Sequence, residues 1–187
     1  MILLLAACAA PQQRAAVPQP GAGTLPTATS LPARYAARPI PRDVVTGQRL
    51  VADYLIIDKS ERLLVAYHQG RPIRAYRGLQ FGDAPFGHKQ FQGDERTPEG
   101  VYTIDRRNPQ SSFHLSLHIS YPNAQDRAFA QRYGRSAGGD IFIHGQPTGF
   151  AGRLSGDWTN GCIALTNAQI EELWQIVPDG TQIEIRP

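Results

Sequence analysis

The sequence has little cysteine, no hydrophobic run of membrane-spanning length, and no excess of one charge over most of its length. The apolar run at the N-terminus reaches only residue 8, whereas a spanning helix needs about 20 apolar residues. Residues 9–45 carry the net charge of +3, and residues 46–187 hold 15 basic and 15 acidic side chains. Without a basic stripe, nucleic acid is not expected as a partner.

One of the two cysteines ends the N-terminal apolar segment. Leu5-Ala6-Ala7-Cys8 resembles the bacterial lipobox, in which the signal is cut before the cysteine and a lipid is attached to it. No Lys or Arg precedes the run, so an ordinary signal peptide or a start codon placed too far downstream is the alternative. We expect residues 1–8 to be this signal and Cys8 to anchor the chain in the periplasm. The outer membrane is favoured, because Ala9 is not the Asp associated with inner-membrane retention.

The composition then divides the chain into a linker and a domain. Residues 9–45 contain seven prolines and show no hydrophobic periodicity, which predicts a disordered, flexible linker. From about residue 46 short runs of β-formers alternate with turn residues, which predicts a mainly β (α+β) domain over 46–187. The strands are expected at Asp53–Asp58, Arg62–Tyr67, Ile73–Leu79, Val101–Asp105, Ile141–His144 and Thr181–Ile185.

Two segments predict helices. Asn123 is a suitable cap for a helix that stops at Gly134, with Asp126 at its third position. Thr166 and Gln169 form a capping box ahead of a second helix. Four apolar residues follow there at helical spacing and are expected in the core: Ile170, Leu173, Trp174 and Val177.

If Cys8 is acylated, Cys162 has no partner for an intramolecular disulfide. A leftover thiol in an oxidising compartment is unusual, although a lone cysteine is more often a small buried hydrophobe than a nucleophile. Its surroundings favour the nucleophile. Cys162 follows an Asn-Gly turn, and an expected strand ends at His144, 18 positions earlier.

A thiol nucleophile needs a base, an orienting group for the base, and donors for an oxyanion. His144 is the candidate base, and a backbone carbonyl can orient its ring. Gly161 lets the chain turn sharply because it has no Cβ. Successive backbone N–H groups at Asn160, Gly161 and Cys162 are the candidate oxyanion hole.

These residues resemble the L,D-transpeptidase (YkuD-like) catalytic domain. The likeness lies in His144-Gly145, in Thr159-Asn-Gly-Cys162-Ile, and in Gly93-Asp-Glu-Arg-Thr-Pro-Glu-Gly-Val-Tyr102. Phe113–Asn123 resembles a stretch of some Gram-negative members. The resemblance implies a β-sandwich or open barrel with two helices, no cofactor and no metal.

The resemblance also implies a reaction on peptidoglycan stem peptides. Cys162 would attack after the third residue of a stem tetrapeptide, and D-alanine would leave. A diaminopimelate side-chain amine would resolve the thioacyl-enzyme into a 3→3 cross-link. His144 would be the base, oriented by the Gly145 carbonyl, and carbapenems would acylate Cys162.

Some features depart from the family and leave alternatives open. Ala164 stands where many members have an arginine, which puts the choice of substrate or acceptor in doubt. The same chemistry with water or a lipoprotein lysine as acceptor would trim stems, or release or attach envelope proteins. A non-catalytic murein-binding lipoprotein is the alternative from another class.

The remaining polar residues near these motifs have competing interpretations. Trp158, Thr159 and His118 are candidate substrate contacts, although Trp158 is equally explained by packing and His118 by a loop position. His114 and His118 have the spacing of a helical zinc pair, but their β-rich neighbours argue against a helix. Asp157 is a weak candidate for a triad acid, because a Gly145 carbonyl makes one unnecessary.

Overall fold

The structure, a computed structural model, describes residues 41–43 and 46–187. Cys8 and nearly all of the predicted linker lie outside the described residues. The described end of that linker, 41–43, is paired: Leu50 N–H donates to the Pro41 carbonyl at 2.8 Å, and Arg42 bridges to Arg49. Among the described residues, no helix combines the length and the hydropathy that a membrane-spanning helix needs.

The described residues form eight strands and two helices, which confirms the mainly β class with two helices. In chain order these elements are β1 (Tyr54–Asp58), β2 (Leu63–His68), β3 (Arg71–Arg77), β4 (Gly100–Asn108), β5 (Ser116–Ile119), α1 (Ala124–Arg132), β6 (Phe142–His144), β7 (Ile163–Ala164), α2 (Asn167–Ile176) and β8 (Gln182–Arg186).

All eight strands join one sheet in the order β3-β2-β1-β8-β4-β5-β6-β7. β8 pairs parallel with β1, and β7 pairs parallel with β6, whereas the other neighbours are antiparallel. The last strand of the chain therefore lies in the middle of the sheet, not at an edge. The edge opposite β3 is formed by β6 and β7, the two strands that carry the sequence motifs.

Both helices begin where their caps predict. The side chain of Asn123 accepts from the N–H groups of Gln125 and Asp126, and Asp126 bonds back to the Asn123 N–H. The Thr166 hydroxyl and the Gln169 side chain make the same reciprocal pair at the start of α2. The four apolar residues predicted for the core of the second helix are all buried.

Side-chain alternation separates the core from the candidate site. Leu117, Ile143 and Ile163 lie on three neighbouring strands and are fully buried. Because successive side chains of a strand point to opposite faces, their neighbours His118, Phe142 and His144 point to the other face. That other face is where the candidate nucleophile lies.

Candidate active site

The candidate nucleophile and base lie on two hydrogen-bonded strands. β6 and β7 pair Ile143 with Ile163 and His144 with Ala164, and the Leu165 N–H donates to the His144 carbonyl at 2.8 Å. Cys162 directly precedes β7, beside Phe142 in this register. The Phe142 N–H donates to the Cys162 Sγ at 3.4 Å, so the thiol is held against β6 on the face that carries His144.

The His144 ring is oriented by the backbone. Its Nδ1 lies 2.7 Å from the Gly145 carbonyl oxygen, and the residue is 3% exposed. A carbonyl oxygen only accepts, so Nδ1 carries the hydrogen and Nε2 keeps a free lone pair. Burial lowers the pKa of His144 to about 4, although the bond to the Gly145 carbonyl acts in the opposite direction. The imidazole is therefore neutral at neutral pH and can accept a proton.

Two aromatic rings pack against the His144 imidazole. The Phe113 ring centroid lies 4.7 Å from that of His144, and the Trp158 centroid lies 5.6 Å from it at an interplanar angle of 65°. Phe113 and Trp158 also contact each other, at 5.7 Å. These rings keep water from the imidazole, which accounts for its burial. The role of Phe113 was not predicted from the sequence, although it lies in a segment singled out there.

Glycine at 145 is required by close packing. A Cβ there would lie 2.6 Å from the Asn167 Oδ1 and 2.9 Å from the Cβ of His114. The Gly145 N–H also donates to the carbonyls of Phe113 and Leu115. The turn after His144 thus fits between the start of α2 and the segment before β5, which fixes the carbonyl that orients the base.

Cys162 is partly exposed and uncharged at neutral pH. Burial raises the pKa of its thiol above the ordinary value, although the Phe142 N–H and the positive charge of Lys89 act in the opposite direction. The S–H group lies 3.5 Å from the Asp140 carbonyl, which accepts from it. The raised thiol pKa and the lowered imidazole pKa both favour the uncharged groups over a thiolate and an imidazolium.

Thr159 holds the nucleophile loop from inside. Its hydroxyl donates to the Cys162 carbonyl at 2.7 Å and accepts from the Gly161 N–H at 3.2 Å, and the residue is 4% exposed. Thr159 thus shapes the loop, and its contact with substrate stays a prediction. The Gly161 N–H is already bonded, so Asn160 and Cys162 remain as candidate oxyanion donors.

The upstream motif packs beneath this loop. A Cβ at Gly161, whose φ is +118°, would lie 2.5 Å from the Arg96 carbonyl oxygen. Asp94 folds that segment: its carboxylate accepts from the backbone N–H groups of Gln90, Phe91 and Arg96 and from the buried Lys89 ammonium. The motif was identified from the sequence, but the role of Asp94 in folding it was not predicted.

Asp157 does not contact the base. Its carboxylate pairs with the Arg62 guanidinium through two contacts of 2.7 Å and accepts from the Phe81 N–H at 2.8 Å. Burial would raise the pKa of Asp157, but these bonds outweigh it and hold that pKa below its usual value. Asp157 is a structural anion, and the geometry does not place it in a triad.

His114 and His118 contact different carboxylates. His114 Nε2 contacts Glu171 Oε1 at 2.8 Å, and His118 Nδ1 contacts Asp105 Oδ1 at 2.5 Å. Among residues 41–43 and 46–187, no group of three or more histidines, cysteines or carboxylates is arranged to hold a metal ion. The helix that a zinc pair would need is replaced by β5, which contains His118.

Comparison with known proteins shows the family of the chain. The sequence profile of the L,D-transpeptidase catalytic domain (YkuD) matches residues 52–185. The chain belongs to this family. YafK of Escherichia coli K12 is 32% identical over 130 residues, which are 66% of this chain and 46% of YafK. The chain thus spans less than half the length of this relative.

Solved structures share the fold. The helical cell shape determining protein Pgp2 from Campylobacter jejuni superposes with a TM-score of 0.58 at 29% identity, over 72% of this chain and 47% of Pgp2. Bd1075 from Bdellovibrio bacteriovorus has a TM-score of 0.53 at 22% identity, over 78% and 51% of the two chains. The L,D-transpeptidase fold predicted from the sequence is therefore confirmed.

The protonated thiol of Cys162 predicts how its reactivity depends on pH. In the full chain carrying Cys8→Ser, the rate of Cys162 alkylation by iodoacetamide should rise about tenfold per unit from about pH 6 to 8, because only the thiolate reacts and its fraction grows at this rate below the pKa. Stopped-time intact mass spectrometry measures the rate. A rate that is flat across this interval would show a preformed ion pair and contradict the assignment.

The packing of Gly161 predicts a local defect in Gly161→Ala. The added methyl group collides with the Arg96 carbonyl and strains a positive φ, so the loop must shift. We expect a lower melting temperature and at least a tenfold change in the Cys162 alkylation rate.

The matched control is Gly134→Ala, where φ is +64° but nothing lies within 4 Å. Its cost should be about 1 kcal/mol of stability, with unchanged alkylation. Equal behaviour of both variants would refute the packing argument.

Proposed function

We propose that this chain is a cysteine-dependent acyltransferase that uses peptidoglycan stem peptides as acyl donors. Cys162 attacks the carbonyl after the third residue of a stem tetrapeptide, D-alanine leaves, and a diaminopimelate side-chain amine resolves the thioester into a 3→3 cross-link. The observation that supports this most is the pairing of β6 with β7. It holds a partly exposed thiol beside a strand whose neutral imidazole has a free Nε2.

The acylation step follows from the protonation states. As the C–S bond forms, the thiol proton moves to His144 Nε2, since a neutral thiol must lose its proton to become an effective nucleophile. The resulting imidazolium is more acidic than an ordinary one because burial disfavours its charge. It therefore gives the proton readily to the amine of the departing D-alanine, and the C–N bond breaks.

Deacylation reverses the same proton path. The neutral imidazole takes a proton from the incoming amine as that amine attacks the thioester carbonyl. The C–S bond then breaks, and the thiolate takes the proton back from His144. In both tetrahedral intermediates the negative oxygen needs donors, for which the N–H groups of Cys162 and the exposed Asn160 are the candidates.

The same thioester chemistry also allows a different acyl acceptor. Water in place of an amine would give a stem tripeptide, and a lipoprotein lysine would attach or release an envelope protein. Pgp2, the relative at 29% identity, is a cell shape determining protein. This supports a role for the chain in shaping the cell wall, by cross-linking or by trimming. The lipobox-like Cys8 supports a periplasmic position with a lipid anchor.

Acylation of the thiol is the direct test of the enzyme. Intact-mass measurement of the full chain with a stem tetrapeptide, or with a carbapenem, should show one covalent adduct in the wild type. Cys162→Ala should show none while keeping its fold, and Cys162→Ser should be nearly inactive. His144→Ala should acylate at least about 10²-fold more slowly, because the general base is lost. Normal turnover in either Cys162 variant would overturn the mechanism.

Muropeptide profiles identify the acceptor. Wild type and Cys162→Ala are expressed in the same bacterium, and their stem peptides are compared by mass spectrometry. New 3→3 dimers in the wild type alone support cross-linking. New tripeptides without dimers, or envelope protein freed from murein, support the second choice and overturn the first. Murein binding with no covalent adduct would show a non-catalytic binder.

A further inference from the structure

A row of side chains leads away from the nucleophile across the sheet. Cys162 lies beside Phe142 on β6, Phe142 pairs with His118 on β5, and His118 pairs with Arg106 on β4. Directly paired residues on neighbouring strands point to the same face. The row therefore lies on the face of the candidate active site. His118 is two strand spacings, about 10 Å, from the nucleophile.

A β-bulge adds a carboxylate to the end of this row. The register of β4 and β5 shifts between Ile104 and Arg106, so Asp105 is an extra residue on its strand. A bulge redirects a side chain, and bulges are frequent next to active sites. Here Asp105 Oδ1 comes within 2.5 Å of His118 Nδ1. Without the shift, Asp105 and Arg106 would point to opposite faces.

The His118 ring is held by packing, whereas Asp105 and Arg106 are exposed. The His118 ring meets Phe142 edge-on at 4.8 Å, and the Arg106 guanidinium lies 5.8 Å from the centroid of the same Phe142 ring. The His118 side chain is 15% exposed, whereas that of Asp105 is 44% exposed. In the described part of the chain, no ion pair joins Asp105 to Arg106. His118 engages Asp105 Oδ1, so the exposed Arg106 guanidinium and the other carboxylate oxygen of Asp105 are accessible to a ligand.

We propose that Asp105, Arg106 and His118 form a subsite for a zwitterionic head group, in which an ammonium and a carboxylate share one carbon. The Arg106 guanidinium pairs with the carboxylate, and the Asp105 carboxylate pairs with the ammonium. His118 is a positioning residue that holds Asp105 through Nδ1. The inference rests on the proposed function, because it places the acyl donor carbonyl at Cys162.

A stem peptide carries such a group at a suitable distance from the scissile bond. The third residue, diaminopimelate, ends its side chain in an ammonium and a carboxylate on one carbon. That end is separated from the reacting carbonyl by a chain of about lysine length. The Arg106 guanidinium lies over the Phe142 ring, which is beside Cys162, and Asp105 contacts His118 on the strand between. The subsite thus selects the donor stem by the free end of its third residue.

Two donor peptides test this assignment. One is a tetrapeptide with diaminopimelate at the third position, and the other is the same peptide with the side-chain carboxylate amidated. In the wild-type full chain, amidation should lower kcat/KM for acylation of Cys162 at least about tenfold. In Arg106→Gln the unmodified peptide should lose at least about tenfold, and the amidated peptide should be unaffected. Asp105→Asn should weaken both peptides equally, because both keep the ammonium.

Two controls keep the outcomes separable. Arg71→Gln removes an exposed cation from β3, at the opposite edge of the sheet, and should leave both peptides unchanged. Iodoacetamide alkylation of Cys162 should be equal in all variants, which shows that the nucleophile is intact. Equal use of the two peptides by the wild type, or discrimination retained in Arg106→Gln, overturns the subsite. Absence of any thioacyl adduct in the wild type overturns the proposed function instead.

Discussion

The pairing of two short parallel strands is the constraint on which the candidate site depends. β6 ends at His144 and β7 begins directly after Cys162, so one backbone hydrogen-bond ladder sets the distance between base and nucleophile. The segments that follow are tied as well, since Asn167 Oδ1 accepts from the Gln146 N–H at 2.8 Å. The geometry of the candidate site is thus held by the backbone and does not rely on a strong attraction between the two side chains.

Burial of the imidazole governs the chemistry that this geometry allows. Phe113 and Trp158 enclose the ring and keep it uncharged, and the Gly145 carbonyl fixes which nitrogen carries the hydrogen. A base with a lowered pKa takes a proton less readily, but its protonated form gives the proton up more readily. Such a group suits a reaction whose difficult step is the protonation of a departing amine.

A layer of polar contacts beneath the loop supports the nucleophile. Thr159 bonds to both the Gly161 N–H and the Cys162 carbonyl, and Asp94 folds the segment whose Arg96 carbonyl lies against Gly161. These contacts define the position of the thiol. On the same face of the sheet, the β4 bulge turns Asp105 toward His118 and provides the charges from which we infer a donor subsite.

The sequence alone determined the features that depend on local spacing or on a short motif. Helix caps at Asn123 and Thr166 are local because a cap bonds to residues two or three positions away. The family, and with it the fold, followed from His144-Gly145, Asn160-Gly161-Cys162 and the upstream segment. Four features depend on tertiary contacts: the central place of β8, the aromatic enclosure of His144, the loop-shaping role of Thr159 and the pairing of Asp157 with Arg62. Each of these joins groups that are distant in sequence or depends on the direction of one side chain, and no local pattern encodes either.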